Sequence, residues 1–228
     1  MIHYHGTPLT PKENLYKMAG KHFCVSFADS RDAKTCLEIG QSVMWDNGAF
    51  TTYTSGKVFD HLAYYDWLQD KLGHPHWAVI PDVIGGDEKQ NKEFLNTWPY
   101  PNYFGVPVWH LHLGLDYLVY LCENYPKVCF GSSGQYWQVG SRSWEERVNE
   151  AFNMLDRKFK TLPWIHMLRG LSVGGGRWPF ASADSTNVAR NFKDQNRCPE
   201  KMAREIDSLQ TPVNWVQQPI QQKLKIGV

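Results

Sequence analysis

The chain has 228 residues, with 24 lysines and arginines against 23 aspartates and glutamates, so its formal net charge at pH 7 is +1. A nearly neutral chain has no overall attraction to nucleic acid, so any polyanion site has to come from a local patch. The length lies within the roughly 200–250 residues that one α/β barrel occupies, which predicts a single domain over residues 1–228.

Eight short runs rich in β-branched or aromatic residues alternate with longer segments of helical periodicity. This alternation is typical of βα units around a parallel sheet, and eight units close a (β/α)8 TIM-like barrel, which is the fold predicted here. The predicted strands are Ile2–His5, Phe23–Ala28, Val43–Asp46, Trp77–Asp82, Gly105–His110, Val128–Ser132, Trp164–Arg169 and Phe180–Asp184.

Helices with recognisable N-terminal caps are predicted between these strands. Asp32 ends a Ser-Arg-Asp cap, Asp60–Leu72 is amphipathic, Asp87 caps a helix that runs to about residue 98, and Ser143 opens a Ser-x-x-Glu capping box. Residues 199–228 are predicted to form a C-terminal helix over Glu200–Leu209 and then a tail that packs on the barrel and frays at its end.

Five cysteines are scattered along the chain without a Cys-x-x-Cys pair or a close Cys/His cluster. This spacing predicts neither a zinc knuckle nor a redox dithiol, and an odd set is typical of reduced thiols in a cytosol. Neither an 18-residue apolar run nor a basic-then-apolar leader occurs, so we expect a cytoplasmic protein without a membrane span.

Three aspartates each end an apolar run and open a turn: Asp46, Asp82 and Asp184. A carboxylate at the carboxyl end of a parallel strand points into the mouth of the sheet, where α/β folds keep their chemistry. Each aspartate alone is equally well a turn or cap residue. Together, from distant parts of the chain, they predict an active site.

Two histidines, His110 and His112, alternate in the sequence, so on a strand both side chains would lie on one face. A metal site needs three or four ligands, and a third is not evident nearby. We therefore expect His110 to be a hydrogen-bonding pocket residue, and neither a metal nor another cofactor is expected.

Several of these residues fall within an ordered set of short motifs. The set comprises Asp46-Asn47-Gly48-Ala49-Phe50, Asp82, His110, Gly131-Ser132-Ser133-Gly134, His166-Met167-Leu168-Arg169-Gly170 and Asp184. In order and spacing, from about Phe23 to Thr186, it resembles the tRNA-guanine transglycosylase superfamily, and more closely the small phage and bacterial members that place deazapurines in DNA.

The resemblance implies that a carboxylate attacks C1′ of a guanine nucleotide, expels guanine, and is displaced by a 7-deazaguanine base such as 7-cyano-7-deazaguanine. Carboxylates suit such glycosyl transfer because they form a covalent ester and stabilise an oxocarbenium-like transition state. Asp184 is then the nucleophile and Asp46 the general acid/base, although the reverse assignment stays open. Asp82 would read the purine by accepting from N1–H and the exocyclic amine.

The resemblance further implies a base pocket. Its predicted substrate-binding residues are Asp82, Phe50, His110, Gly131, Ser132, Ser133, His166 and Arg169. Phe50 would stack on the purine, unless it is a core aromatic. Arg169 stands where the family has an apolar residue against the base.

The tRNA enzymes carry a Cys-x-Cys-x-x-Cys…His zinc site after the nucleophile, whereas only Cys198 follows Asp184 here. This departure favours the DNA-acting branch, without the zinc subdomain. The expected partners are DNA, as a flipped or single-stranded guanine nucleotide, and the free 7-deazaguanine base. The sequence indicates no particular oligomeric state.

Two segments are candidates for phosphate contacts. Gly175, Gly176 and Arg177 lie between the last two predicted strands, where this barrel often binds phosphate, although a plain flexible loop is an equal alternative. Arg190 and Lys193 begin a basic run that would track a nucleic-acid backbone, or else form a solvated helix face.

Aromatic residues beside predicted strand ends are further candidates, because they would wedge or stack at the flipped nucleotide. They are Trp45, Tyr53, Trp137 and Trp178.

Three other functions stay open at this point. One is base exchange in tRNA, the second is a non-catalytic nucleobase- or nucleic-acid-binding module, and the third is a hydrolytic glycosidase that uses Asp46 and Asp184.

Overall fold

The computed structural model describes residues 1–56, 58–193 and 197–219. Within these ranges, parallel strands and α-helices alternate along most of the chain. The strands are β1 (Ile2–Gly6), β2 (His22–Ser26), β3 (Ser42–Asp46), β4 (Trp77–Val79), β5 (Gly105–Val106), β6 (Val108–His110), β7 (Lys127–Gly131), β8 (Trp164–Met167) and β9 (Ser182–Ser185). The helices are α1 (Glu13–Tyr16), α2 (Ala33–Ile39), α3 (Ala49–Thr54), α4 (His61–Leu68), α5 (Glu88–Thr97), α6 (Leu115–Asn124), α7 (Arg142–Lys158), α8 (Asn187–Asn191) and α9 (Pro199–Asp207).

The nine strands form one parallel sheet in the order β5-β4-β3-β2-β1-β9-β8-β7-β6. The first and last strands pair at its centre, with Tyr4 of β1 opposite Asp184 of β9. The two edge strands, β5 and β6, are separated along the chain by Pro107 alone. The sheet is therefore a nearly closed, barrel-like α/β structure in one domain, in agreement with the predicted α/β class.

We call the segment from Gly105 to His110 the seam, because its two halves pair with opposite ends of the sheet. Its first half pairs with β4, and Ile80 N, directly after β4, donates to Val106 O at 3.0 Å. In its second half, Cys129 N of β7 donates to Pro107 O at 2.9 Å. Proline has no N–H to add to a strand ladder, so the predicted strand Gly105–His110 divides at this residue.

Side chains alternate between the two faces of the sheet, as the period of a β-strand requires. The inward-facing side chains form a small buried cluster of Tyr4, Cys24, Met44, Trp77, Val79, Val106, Val108 and Cys129. The outward-facing ones, such as Phe23, Trp45 and Phe130, join a much larger core beneath the helices. Stability thus comes mainly from the layer between sheet and helices, which leaves the carboxyl end of the barrel available for polar residues.

Local boundaries differ from the prediction where backbone hydrogen bonding changes. Residues 27–29 form a short 3-10 turn instead of extending β2. β8 ends at Met167, so Arg169 lies in the following loop, and β9 begins at Ser182, so Phe180 precedes it. The predicted core of every strand is otherwise present.

The helix caps were predicted with mixed success. Asp87 caps α5 in a capping box with Gln90, as expected. The prediction for α7 was wrong by two residues, because Ser141 and not Ser143 accepts from the first turn. Asp32 stands at the N-terminus of α2 but accepts instead from Leu9 N at 3.0 Å, and so fixes the loop after β1.

The C-terminal segment packs on the barrel, as predicted. The Asn153 side chain of α7 accepts from Trp215 Nε1 at 2.8 Å and donates to Gln218 O at 2.8 Å. The predicted frayed end, residues 220–228, lies outside the described residues. Among the described helices, none combines the length and apolar character that a bilayer span requires.

We expect Tyr4→Phe to lower the free energy of unfolding by about 1–3 kcal/mol. The Tyr4 hydroxyl is buried inside the barrel and accepts from Trp77 Nε1 at 2.9 Å and from Ser42 Oγ at 3.2 Å. Its removal leaves the buried indole N–H without an acceptor. Urea unfolding measures the loss, with Tyr103→Phe at an exposed position as the control. Equal effects of the two variants would contradict this account of the interior.

Candidate active site

Three predicted aspartates lie at the carboxyl end of the sheet. Asp46 is the last residue of β3, Asp184 lies in β9, and Asp82 follows β4. The charges of both Asp184 and Asp82 act on Asp46, which places the three carboxylates within electrostatic reach of one another. The structure therefore brings together the residues that the sequence places far apart.

The turn after β3 is built by the side chains of its own residues. Gly48 N donates to Asp46 Oδ2 at 3.1 Å, and Ala49 N donates to Asn47 Oδ1 at 2.8 Å, which are two successive Asx turns. Gly48 has a φ of 73°, and a Cβ there would lie 3.1 Å from Ala28. Glycine is required at this position both by the backbone conformation and by the lack of room.

The surroundings of Asp46 perturb the electrostatics of its carboxyl group. Burial raises its pKa from 3.8 to about 6, and the charge of Asp184 acts in the same direction. Hydrogen bonds from Ser26 and Gly48 oppose the rise. A carboxyl group with this pKa can both give and take a proton near neutral pH, which suits general acid/base work.

Asp184 is held from one side. Its Oδ1 accepts from Arg169 N at 2.8 Å and faces His166 Nε2 at 3.2 Å. His166 is oriented in turn by Ser182 Oγ, 2.8 Å from its Nδ1. Within the described residues these bonds go to Oδ1 alone, so the second carboxylate oxygen is left for chemistry.

Arg169 joins several parts of the site. Its φ of 56° is the one positive value at a non-glycine position in the described chain, and such strain is concentrated at functional sites. The strained backbone aims the N–H at Asp184, while the guanidinium donates to Ser132 O at 3.1 Å. The guanidinium carbon also lies 4.1 Å from the centre of the Phe50 ring, a cation–π contact.

Phe50 is 47% exposed on α3, so it is not a core aromatic. An exposed aromatic ring with a guanidinium across its face offers a flat surface beside the carboxylates. Such a surface is suited to planar, electron-rich ligands.

Asp82 is paired with His110, whose Nε2 lies 2.8 Å from Asp82 Oδ2. The other oxygen, Oδ1, accepts from Asn47 Nδ2 at 3.0 Å. His110 fits because residue 131 is glycine: a Cβ on Gly131 would lie 2.9 Å from His110 Nδ1. Each carboxylate oxygen retains a further lone pair, so Asp82 can still accept from a ligand.

The two serines of the loop after β7 have separate partners. Ser132 Oγ accepts from Trp144 Nε1 at 2.9 Å, which fixes the loop to α7. Ser133 Oγ lies within hydrogen-bond distance of His110. The predicted substrate-binding residues of this loop thus border the Asp82–His110 pair.

The predicted phosphate-binding residues lie elsewhere. Arg177 is paired with Glu145 at 3.1 Å, and with Gly176 it lines a pocket of about 370 Å³ against the C-terminal segment. Gly175 has a φ of 75° and packs near Leu209. Arg190 is exposed on α8, and exposed Lys193 lines a separate pocket of about 440 Å³ that contains none of the three aspartates. Their role in nucleic-acid binding stays a prediction.

The four aromatic candidates beside strand ends differ in exposure. Tyr53 and Trp137 are exposed, whereas Trp45 and Trp178 are buried. The Trp45 side chain points outward from β3 into the helix-covered core, and Trp178 packs edge-on against Trp144. The prediction that Trp45 and Trp178 wedge against nucleic acid is therefore wrong.

Sequence reasoning missed Asn47 and Ser182. Asn47 is buried and joins the ends of β3 and β4, because its amide nitrogen reaches both Asp82 and Ile80 O. The signal for Asn47 is the Asp-Asn-Gly turn itself, in which Asn is rarely placed without a hydrogen-bonding role. Ser182, which orients His166, has no signal in the sequence beyond its alternation with Asp184.

We expect Asp46→Asn to stabilise the protein above pH 6 and to leave it unchanged below about pH 4. Because the folded state raises this pKa, the folded protein binds a proton that the unfolded chain lacks between pH 3.8 and about 6. The free energy of unfolding of the wild type therefore falls as pH rises through this window. Asparagine does not ionise, so the variant avoids this loss, which is about 1–2 kcal/mol after allowance for the partial exposure of Asp46.

Urea unfolding at pH 4 and pH 8 measures the difference, with exposed Asp66→Asn on α4 as the matched control. A pH-independent effect of Asp46→Asn would contradict the assignment of a raised pKa to this group.

Within the described residues, no three His, Cys, Asp or Glu side chains are arranged to hold a metal ion. The functional groups of the candidate site are carboxylates, imidazoles and one guanidinium at the carboxyl end of the sheet. Comparison of the chain with protein-family models, with curated proteins and with solved structures found no match.

Proposed function

We propose that this protein is a transglycosylase that exchanges guanine in DNA for a 7-deazaguanine base through a covalent aspartyl–nucleotide intermediate. One observation carries the proposal. Asp46, with a pKa of about 6, lies in the field of Asp184, which is held by Arg169 N and His166. Two carboxyl groups in unlike environments at one site are the apparatus of a double displacement at an anomeric carbon.

The fold is part of the proposal. Counting the two halves of the seam as one strand interrupted at Pro107 gives eight strands, the number in a (β/α)8 barrel. Active sites of such barrels lie at the carboxyl ends of the strands, which is where the three aspartates are.

Asp184 is the better nucleophile of the pair. Its Oδ1 is engaged by the Arg169 N–H and by His166, and in this proposal Oδ2 is the oxygen that attacks C1′. Attack forms a C1′–Oδ2 ester bond and breaks the bond between C1′ and guanine N9. The second base reverses these events: its N9 attacks C1′ and Asp184 leaves as a carboxylate.

Asp46 donates the proton that the first step needs and accepts the proton that the second step releases. Departing guanine takes up one proton, and the incoming 7-deazaguanine loses one from N9. A carboxyl group with a pKa of about 6 is protonated often enough to give the first proton and basic enough to accept the second. The reaction then needs no net proton from solvent.

Asp82 reads the base in this proposal. Guanine and 7-deazaguanine both present N1–H and an exocyclic amine on one edge, and a carboxylate accepts from both. Asn47 and His110 hold Asp82 in place from either side. A base without the two donors leaves a desolvated carboxylate unpaired, which is the basis of strong discrimination.

Phe50 and Arg169 form the wall of the base pocket. Arg169 stands where the family that the motifs resemble has an apolar residue. Its contact with Phe50 supports a flat, cationic wall at this position. Stacking on such aromatic or guanidinium surfaces contributes about 1–3 kcal/mol per base in nucleic-acid complexes.

The test is nucleoside mass spectrometry after incubation with guanine-labelled DNA or, separately, guanine-labelled tRNA, with and without 7-cyano-7-deazaguanine. We expect the deazapurine in DNA with stoichiometric guanine release, and no exchange by Asp184→Asn. Asp66→Asn is the matched control and should exchange at the wild-type rate. Denaturing electrophoresis of protein incubated with DNA alone should show a covalent adduct that depends on Asp184.

Other outcomes separate the alternatives. Exchange in tRNA but not in DNA would make tRNA the substrate and leave the proposed base-exchange reaction unchanged. Guanine release without incorporation would indicate a hydrolase, and binding of base or DNA without either reaction would indicate a binding module. An adduct that survives in Asp184→Asn and is lost in Asp46→Asn would reverse the two roles.

The two half-reactions should depend on pH in opposite directions. We expect kcat/KM for DNA to fall as pH rises through about 6, because the first step uses protonated Asp46. We expect kcat/KM for the free base to rise with pH, with its midpoint below 6, because esterified Asp184 has lost the charge that raised the pKa of Asp46. Initial rates between about pH 5 and 8 measure both ratios. Two flat profiles would contradict the role given to Asp46.

A further inference from the structure

A chain of hydrogen bonds runs outward from the base-reading carboxylate. Asp82 Oδ2 contacts His110 Nε2 at 2.8 Å, and His110 Nδ1 lies 3.4 Å from Ser133 Oγ. Ser133 Oγ lies 3.3 Å from His112 Nδ1, and His112 Nε2 is 2.9 Å from Gly86 O. His110 is buried and His112 is exposed, so the chain connects the interior of the site with solvent.

Gly86, at the exposed end of the chain of hydrogen bonds, determines which nitrogen of His112 carries a proton. A carbonyl oxygen only accepts, so His112 Nε2 carries a hydrogen and donates it to Gly86 O. In neutral His112, Nδ1 is then an acceptor, and the Ser133 hydroxyl donates to it. Since Ser133 has a single hydrogen, its oxygen accepts from His110, which must carry a hydrogen on Nδ1.

With all four contacts made as hydrogen bonds, the chain has one proton more than it would have with Asp82 ionised and both imidazoles neutral. His110 also faces Asp82 through Nε2, so with Asp82 ionised and His112 neutral, His110 is an imidazolium. In the alternative state His112 is the imidazolium, Ser133 accepts from it and donates to His110 Nδ1, and His110 is neutral. All four contacts are satisfied in both states, and in each the chain has the same number of protons.

The two states interconvert by movement of protons alone. The Nδ1 proton of His110 passes to Ser133 Oγ while the serine hydroxyl proton passes to His112 Nδ1. The Ser133 contacts of 3.3 and 3.4 Å are long for hydrogen bonds, so a small change of the serine torsion favours one ring or the other.

Side chains of neighbouring helices bind the backbone on either side of His112. Arg147 of α7 donates to the carbonyls of Leu111 and Leu113, on either side of His112. Glu88 accepts from Gly114 N at 3.2 Å. The charged groups that face the chain are thus Asp82 at its buried end, with Arg147 and Glu88 beside its exposed end.

We propose that Ser133 and His112 form a proton relay that sets the protonation state of the base-reading pair Asp82–His110 and exchanges its proton with solvent. The proposal rests on the proposed function, because it gives Asp82 the task of reading a purine. A bound base shields Asp82 from water, and the relay then keeps the carboxylate ionised by supplying a counter-proton at His110. Ser133 and His112 are positioning residues, since they act through His110.

Histidine NMR tests the relay without any assay of activity. In protein with ¹⁵N-labelled histidine, long-range proton–nitrogen correlations identify which ring nitrogens carry hydrogen. We expect hydrogen on His112 Nε2, and titration of His110 and His112 as one coupled unit. Ser133→Ala should uncouple the two titrations and Ser133→Thr, which keeps the hydroxyl, should retain the coupling. A neutral His112 with its hydrogen on Nδ1, or titrations that Ser133→Ala leaves unchanged, would overturn the relay.

Base exchange tests its purpose. We expect Ser133→Ala and His112→Gln to raise KM for 7-cyano-7-deazaguanine about five- to tenfold with kcat nearly unchanged, and Ser133→Thr to restore KM. His74→Gln, at an exposed position before β4 and away from the carboxyl end, is the matched control. Unchanged KM in both relay variants would overturn the link between relay and base reading.

The NMR and base-exchange experiments distinguish failure of the relay from failure of the proposed function. A wild-type protein that exchanges no base would refute the proposed function, and the NMR result alone would then decide whether the proton relay exists.

Discussion

The closure of the sheet at the seam is the constraint on which the site depends. β4 and β7 meet only through the residues between Gly105 and His110, and Pro107 interrupts the ladder between them. At the carboxyl end, Asp82 stands on one side of this interruption and His110 on the other. Their contact of 2.8 Å therefore joins the carboxyl ends of β4 and β6 as well as orienting the carboxylate.

The barrel tolerates three neighbouring carboxylates because its stability is generated elsewhere. The apolar layer between sheet and helices is large, whereas the mouth contains groups that repel one another or are strained. The positive φ of Arg169 and the raised pKa of Asp46 both cost free energy in the folded state. Such local costs are characteristic of sites where function, and not stability, selects the residue.

The sequence predicted the positions of the strands well because period-2 patterns and turn residues are local signals. Asp46, Asp82 and Asp184 were recognised on that basis, and parallel topology alone brings strand ends to one edge. Trp45 was misjudged because a position beside a strand end does not say which face of the sheet a side chain occupies. The division at Pro107 was visible as a residue without an N–H, yet the pairing of its two halves with different neighbours depends on closure.

The relations between side chains were beyond the sequence for a different reason. The role of Asn47 depends on how closely β3 and β4 approach, and the contacts of Ser133 depend on the course of a loop after β7. The αL conformation of Arg169 is imposed by its surroundings, since arginine itself disfavours it. These contacts support the proposed double displacement, whereas its substrates, guanine and a 7-deazaguanine base, are implied by the resemblance of the motifs.

The seam also has a thermodynamic consequence. A ligand that binds Asp82 while it is paired with His110 binds only the closed barrel, so its binding free energy is added to the free energy required to separate the end of β4 from His110. Amide hydrogens beside the seam, such as those of Ile80 and Leu111, then exchange with water more slowly when the pocket is occupied. Occupancy of the mouth is thereby communicated to backbone amides on both sides of the seam, by mass action and without any change of shape.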